Sequence, residues 1–144
     1  MARNYPMAGS HFTVNWGGTS ISFLTVSGLR IKHEVVEYRG GADPEYSNMK
    51  MPIATKYSDI TLKRGICQGD NEFYDWMNEV LLTEVQRRDI TISLLNEQHE
   101  PVVTWKVKNA FAREVLYGDL DAMNASFAVE ELVIAHEGMT VEMV

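Results

Sequence analysis

The segment that decides the fold runs from Tyr38 to Ile66 and reads YRGGADPEYSNMKMPIATKYSDITLKRGI. Strand-like sequence lies on both sides of a polar connection of eighteen residues, Arg39 to Lys56. Loops in compact domains have a median length of about 4–6 residues, so a connection this long indicates a functional segment. It also carries apolar residues that a disordered linker tends to lack, namely Tyr46, Met49, Met51 and Ile53. Because it contains no nucleophile–base set and no metal-ligand cluster, we interpret it as a loop that binds another protein surface.

Length and composition indicate one domain, residues 1–144, with an ordinary hydrophobic core. The chain is 45% hydrophobic, which is typical of globular proteins. No apolar run is long enough for a transmembrane helix, and the N-terminus lacks the apolar core of a secretory signal peptide. We therefore expect synthesis in the cytoplasm and no insertion into a membrane. The net charge of −7 argues against sequence-specific nucleic-acid binding, which needs clustered Lys and Arg.

No residue pattern indicates catalysis, a cofactor or a metal site. The histidines at positions 11, 33, 99 and 136 do not show metal-motif spacing, and Cys67 has no cysteine partner. We expect Cys67 to be a small residue of the core, because free cysteines are usually buried. The glycine pairs Gly17-Gly18 and Gly40-Gly41 lack phosphate-loop spacing and are typical of turns. The sequence therefore predicts a protein that is not an enzyme.

Charge is distributed unevenly along the chain. Basic residues in and just after the long loop are Lys50, Lys56, Lys63 and Arg64. Beyond Arg113 the charged residues are acidic, and include Asp119, Asp121, Glu130, Glu131, Glu137 and Glu142. Two interpretations remain open at this point. The two regions are either separate solvated surfaces or complementary surfaces that meet across a subunit boundary.

Hydrophobic periodicity predicts six or seven strands and one helix. Alternating segments lie at residues 11–16, 19–26, 29–38, 59–66, 89–95, 102–111 and 125–137. The helix is expected over residues 70–83, with Asp70 as its N-cap. Its apolar stripe is Phe73, Trp76, Met77, Val80 and Leu81, which indicates that Trp76 packs the helix onto a sheet. We predict a mainly β domain of two packed antiparallel sheets, a sandwich or barrel, with one flanking α-helix.

Several motifs together resemble one known family. They are Glu37-Tyr-Arg-Gly-Gly41, then Pro52, the block Lys56-Tyr-Ser-Asp-Ile-Thr-Leu-Lys-Arg-Gly65, the helix start Phe73-Tyr-Asp-Trp76, and Ala135-His-Glu-Gly138. This set resembles phage tail tube proteins, and most closely the inner-tube subunits of phage-tail-like contractile injection systems. The resemblance covers nearly the whole chain. The chain differs from the family pattern at Ile53-Ala54-Thr55, where a glycine-containing turn is expected.

The resemblance implies a structural role in a large particle. Family members form hexameric rings that stack into a hollow tube inside a contractile sheath. The expected partners are other copies of the chain, the sheath, the baseplate and spike, the tail terminator, and luminal cargo or a tape-measure protein. The particle is a phage tail or a phage-tail-like device, either inside the cell or released from it.

The resemblance also implies which residues contact other subunits. The stacking loop reaches the adjacent ring and would contain Arg39, Gly40, Gly41, Asp43, Pro44 and Pro52. Residues at or beside subunit contacts would be Tyr57, Asp59, Lys63 and Arg64.

Two other functions remain open from the sequence. The first is a ring protein of the type VI secretion system, similar to the haemolysin-coregulated protein, which is an exported tube component that carries effectors. The second, from a different class, is a small β-barrel enzyme or ligand-binding domain, which would need a convergent polar pocket.

Overall fold

The computed structural model describes residues 6–18, 23–38, 40–41, 49–82 and 87–144, except for the side chains of residues 80–82. Within these ranges the chain forms nine β-strands and one α-helix. The strands are β1 Phe12–Asn15, β2 Phe23–Ser27, β3 Ile31–Tyr38, β4 Met49–Tyr57, β5 Ile60–Gly65, β6 Arg88–Leu95, β7 Pro101–Tyr117, β8 Val129–Ala135 and β9 Gly138–Met143, and the helix is α1 Glu72–Leu82. The mainly β fold class with one helix is confirmed.

Seven strands form one continuous antiparallel sheet in the order β1-β6-β7-β8-β5-β2, with β9 paired to β7. The long strand β7 connects two halves of this sheet, because its first part pairs with β6 and β9 and its second part pairs with β8. At the change of partner, Asn109 has a φ of 54°, a left-handed conformation in which asparagine is enriched. The halves pack in a sandwich-like manner, and β3 and β4 form a separate two-stranded sheet.

One hydrophobic core lies between the two halves of the sandwich. Alternate residues of β5 and β8 point into it, as the period of two requires: Ile60 and Leu62 on β5, Leu132 and Ile134 on β8. From the other half come Ile90, Ile92, Val107 and Met139. The helix contributes Phe73 and Trp76, both fully buried. Trp76 therefore packs the helix against the sandwich, as predicted.

The helix begins two residues later than predicted, at Glu72. Asp70 still satisfies its first turn, because its Oδ1 accepts a hydrogen bond from the Glu72 backbone N–H at 3.2 Å. Glu72 and Asp75 place negative charge in that turn, which suits the positive end of the helix dipole.

The structure corrects the predicted loop over residues 39–56, whose second part is strand β4. Residues 53–55, where the family pattern has a glycine-containing turn, lie inside this strand. Pro52 lacks an N–H group and is tolerated because it lies beside a bulge: Val35 faces Pro52 and Glu34 faces Ala54, so Ile53 has no opposite residue.

Two further expectations were incomplete or wrong. Strand β7 extends to Tyr117, and the chain ends in strand β9, which was not predicted. Cys67 is exposed and not part of the core. Cys67 lies two residues after the end of β5, in the segment that connects β5 to the helix.

Candidate assembly surface

The β3–β4 hairpin, residues 31–38 and 49–57, is the most exposed pair of strands in the described part of the chain. Its large apolar side chains keep 43–60% of their surface accessible. These side chains are Ile31, Val35, Val36, Tyr38, Met49, Met51 and Ile53. Exposed apolar side chains concentrated on two strands mark an interaction site.

No residue of the hairpin is buried within the subunit. Glu34 and Tyr57 are half-buried, and the other hairpin residues are exposed. Both half-buried residues lie nearer to the base of the hairpin, where Ile31 pairs with Tyr57, than to its outer end. The apolar side chains of the hairpin are therefore left uncovered by the described residues of their own chain.

The register divides the hairpin into two faces. Because alternate strand residues share a face, one face carries the cross-strand pairs Val36–Met51 and Tyr38–Met49 at its outer end. We call these four side chains the apolar tip face. All four are exposed, and together they form a continuous patch at the end of the hairpin that lies away from its base.

Polar contacts hold the hairpin strands together. Lys56 forms an ion pair with Glu34, and Thr55 Oγ1 lies 3.2 Å from His33 Nδ1. The Lys50 Nζ and Glu37 Oε1 atoms are 4.0 Å apart. Lys50 and Lys56 thus have acidic neighbours in the same chain, and both interpretations of the uneven charge distribution stay open.

The predicted stacking-loop residues divide into two groups. Arg39, Asp43 and Pro44 lie outside the described residues. Gly40 and Gly41 come shortly after β3, and Pro52 is an exposed residue of β4. The hairpin therefore brings the described members of this group to its outer part, while their contacts with another subunit stay a prediction.

The predicted contact residues Tyr57 and Asp59 lie at the base of the hairpin. The Tyr57 ring is 5.6 Å from the His136 ring, and His136 Nε2 donates a hydrogen bond to the Ser58 carbonyl oxygen at 2.9 Å. Asp59 forms an ion pair with Arg113 of β7. These contacts fix the base of the hairpin to the sandwich, and a contact of either residue with another subunit stays a prediction.

Lys63 and Arg64, the remaining predicted contact residues, have different environments. Lys63 is partly exposed, and its Nζ lies 3.9 Å from Glu131 Oε1 on the neighbouring strand. Arg64 is only 1% exposed, and its Nε donates to Glu130 Oε1 at 2.8 Å while its Nη2 donates to Asp70 Oδ1 at 3.2 Å. A side chain enclosed in this way stabilises its own subunit, so a direct contact with a second subunit is open to Lys63 and not to Arg64.

A second exposed apolar segment lies between β7 and β8 and was not predicted, because the strand expected over residues 125–137 begins only at Val129. The β7–β8 loop, residues 118–128, carries Leu120, Met123 and Phe127 at 87%, 94% and 91% exposure. The available signal was that Leu120 and Met123 are large apolar residues outside every predicted strand, whereas Phe127 fell within the alternation of residues 125–137.

The sandwich also has open strand edges. Within the described residues, β1 pairs only with β6, β2 only with β5 and β9 only with β7, so each has one unpaired side. An apolar groove of about 340 Å³ is lined by residues of β1, β2, β6 and β7, including Phe12, Leu24 and Trp105. Unpaired strand edges are templates for pairing with another chain.

Among the described residues, no group of three or more His, Cys, Asp or Glu side chains is arranged to hold a metal ion. His11 and His99 contact each other, with 2.9 Å between Nε2 and Nδ1, but form a group of only two. The arrangement as a whole offers protein-binding surfaces and strand edges.

Comparison with known proteins identifies the family. The sequence model for the T4-like virus tail tube protein gp19 matches residues 9–140, nearly the whole chain. The chain belongs to this tail tube protein family. The predicted family is therefore confirmed. No curated protein sequence is significantly similar to this tail tube protein.

Solved structures similar to the tail tube protein come from contractile injection systems. One is a chain of the PVC sheath–tube complex of an extracellular contractile injection system in the extended state, at 35% identity and a TM-score of 0.87, covering 97% of this chain and 93% of that chain. Another is a chain of the anti-feeding prophage cap, the AFP tube terminating cap, at 33% identity and a TM-score of 0.90, covering 100% and 95%. The tail tube protein is thus a structural tube component of this class.

Similarity to type VI proteins is more distant. Hcp1 from Flavobacterium johnsoniae has 12% identity and a TM-score of 0.60, and covers 93% of this chain and 96% of that chain. Identity this low shows a shared fold only, so the contractile injection tube is favoured over the type VI alternative. In the described part of the tail tube protein, no helix has the length and apolar character needed to cross a membrane.

Proposed function

We propose that this chain is the inner-tube subunit of a contractile phage tail or an extracellular phage-tail-like injection system. Six copies form a ring, and rings stack through the β3–β4 hairpin into a hollow conduit for cargo. The observation that carries this proposal is the apolar tip face, which is exposed and uncovered by the described residues of its own subunit.

The stacking role follows from the free energy available when the hairpin is covered. Each large apolar side chain gains about 1.5–3 kcal/mol when fully buried, and the four residues of the apolar tip face are roughly half exposed. Covering them yields on the order of 1 kcal/mol for each side chain, repeated for every subunit of a ring. A two-stranded sheet is also marginally stable alone, so contact with the next ring stabilises it.

Ring formation follows from the open edges of the sandwich. Strands β1 and β2 are the two ends of the path along the seven-stranded sheet. Pairing of an edge of one subunit with an edge of the next satisfies their free N–H and C=O groups and joins the sheets around the ring. Edges that are paired in this way no longer promote uncontrolled aggregation.

The partners of the assembled tube follow from its relatives. Because the similar chains belong to a sheath–tube complex and a tube terminating cap, we propose that a contractile sheath surrounds this tube and a terminator closes it. A baseplate with a spike at the other end, and cargo or a tape-measure protein in the lumen, complete the proposed particle.

The test removes the apolar character of the tip face while preserving the fold. We expect the double variant Met49→Lys/Met51→Lys to give folded subunits and rings. The number of tubes should fall by a factor of about ten or more, because two charges would need desolvation at each stacking contact. Tubes are counted by negative-stain electron microscopy, the fold is checked by circular dichroism, and native mass spectrometry should find six copies in the ring.

Tyr74→Lys is the control, because Tyr74 is a similarly exposed residue that belongs to helix α1 and not to the hairpin. The control should form tubes as the natural chain does. Long tubes of normal number from Met49→Lys/Met51→Lys would contradict stacking through the hairpin.

A further inference from the structure

The β7–β8 loop has a defined structure even though its apolar side chains are exposed. Its ends are closed by the Gly118 N–H, which donates to the Val129 carbonyl oxygen at 2.9 Å. Within it, the Met123 N–H donates to Asp121 Oδ1 at 2.9 Å, and the Ser126 N–H donates to the Asn124 carbonyl oxygen at 3.0 Å. A loop that these hydrogen bonds close and that presents Leu120, Met123 and Phe127 to solvent has the features of a binding surface.

The β7–β8 loop and the hairpin lie at opposite ends of strand β5. The hairpin ends at Tyr57, shortly before β5 begins at Ile60. At the other end of β5, Gly65 pairs with Val129, and the Ile66 N–H donates to the Ala128 carbonyl oxygen at 2.9 Å. One strand therefore separates two exposed apolar surfaces of the same chain.

The two surfaces are opposite in net charge. The described hairpin strands carry three lysines and two glutamates, whereas residues 118–128 carry two aspartates and no basic residue. The loop also encloses an open depression of about 430 Å³, lined by residues that include Leu120, Asn124 and Phe127. A depression of this size accommodates a large apolar side chain such as those of the apolar tip face.

We propose that residues 118–128 form the surface that receives the β3–β4 hairpin of a second copy of this chain in the adjacent ring. This inference rests on the proposed function and names the receiving surface for the hairpin. A head-to-tail contact requires two different complementary surfaces on each subunit. The contact repeats along the stack when these two surfaces lie at opposite ends of the subunit. The opposite ends of β5 supply that arrangement.

The test is chemical crosslinking between the two surfaces in assembled tubes. Cys67→Ser removes the natural thiol, and Met51→Cys with Met123→Cys then place one thiol on the hairpin and one on the loop. A short bis-maleimide should join successive rings, giving a ladder of products on a denaturing gel that extends beyond the number of subunits in one ring. The matched control replaces Met123→Cys with Tyr74→Cys and should give no ladder.

The outcomes separate this inference from the proposed function. Tubes that form without a ladder, or with a ladder that stops at the number of subunits in one ring, would overturn the inference and leave the tube function intact. If neither the Cys67→Ser variant nor the natural chain formed rings or tubes, the inference and the proposed function would both be overturned.

A second variant tests the same surface without crosslinking. Phe127→Ser should form rings but lower tube yield about tenfold, whereas Tyr74→Ser, which also removes an exposed aromatic ring, should leave the yield unchanged. A tube yield for Phe127→Ser equal to that of the natural chain would count against the inference.

Discussion

At the scale of single residues, Arg64 shows how a charged side chain can stabilise a hydrophobic core. Its guanidinium carbon lies 3.9 Å from the centre of the Phe73 ring, and its N–H groups reach Glu130 and Asp70. Asp70 Oδ1 also accepts from the Glu72 backbone N–H. Arg64 therefore connects strand β5, strand β8 and the start of the helix.

We expect Arg64→Ala to lower the free energy of unfolding by about 3–5 kcal/mol, because it leaves the Glu130 and Asp70 carboxylates enclosed without their partner. Urea denaturation of the unassembled subunit measures this effect. Lys63→Ala, next in the chain and partly exposed, should cost under about 1 kcal/mol. Equal losses for the two variants would contradict the structural role of Arg64.

At the scale of elements, the β3–β4 hairpin is held at a fixed position by its connections to the sandwich. Gly28 links β2 to the hairpin and has a φ of +89°, which disfavours any residue with a side chain. A Cβ atom at this position would lie 2.0 Å from the Asp59 carbonyl oxygen. Asp59 is itself held by Arg113, so the backbone is fixed both before β3 and after β4.

The variant Gly28→Ala should therefore displace the base of the hairpin and lower the free energy of unfolding by about 1 kcal/mol or more. Tube formation should fall as well, because the tip face moves away from its contact. Gly41→Ala is the control for the free energy of unfolding, since no atom of the described residues lies within 4 Å of its added Cβ. Thermal unfolding measures the change in stability, and electron microscopy measures tube formation. Unchanged stability and tube formation for Gly28→Ala would contradict a fixed position of the hairpin base.

At the scale of the whole molecule, the subunit is an open sandwich with one core and several uncovered surfaces. Its core strands β5 and β8 are paired on both sides, whereas β1 and β2 are paired on one side only among the described strands. The centre of the sheet is therefore the most stable part of the subunit, and we propose that neighbouring subunits pair the edges and cover the hairpin.

Hydrogen–deuterium exchange should reveal this difference. Amides of β1, β2 and the hairpin are expected to exchange faster in the unassembled subunit than in the tube, because assembly pairs or covers them. Amides of β5 and β8 should be protected in both states. Equal protection of β1 and β2 in subunit and tube would contradict ring closure through the strand edges.

Local patterns were sufficient for the elements whose neighbours are all in the same chain. The alternating pattern of residues 59–66 correctly predicted strand β5, and the helical spacing of Phe73 and Trp76 predicted the buried side of α1. Strand β4 was missed because its residues are exposed on both faces and include Pro52, so the sequence shows no core-facing alternation.

The sequence by itself determined a mainly β domain, its helix and its family, because hydrophobic periodicity and motif order are encoded locally. Only the tertiary structure decided that Arg64 is enclosed by Glu130 and Asp70, that residues 49–57 pair with β3, and that the β7–β8 loop presents its apolar residues to solvent. These properties depend on which segments meet in space. Periodicity identifies the face of a strand, but the element that covers that face is fixed only when the whole chain packs.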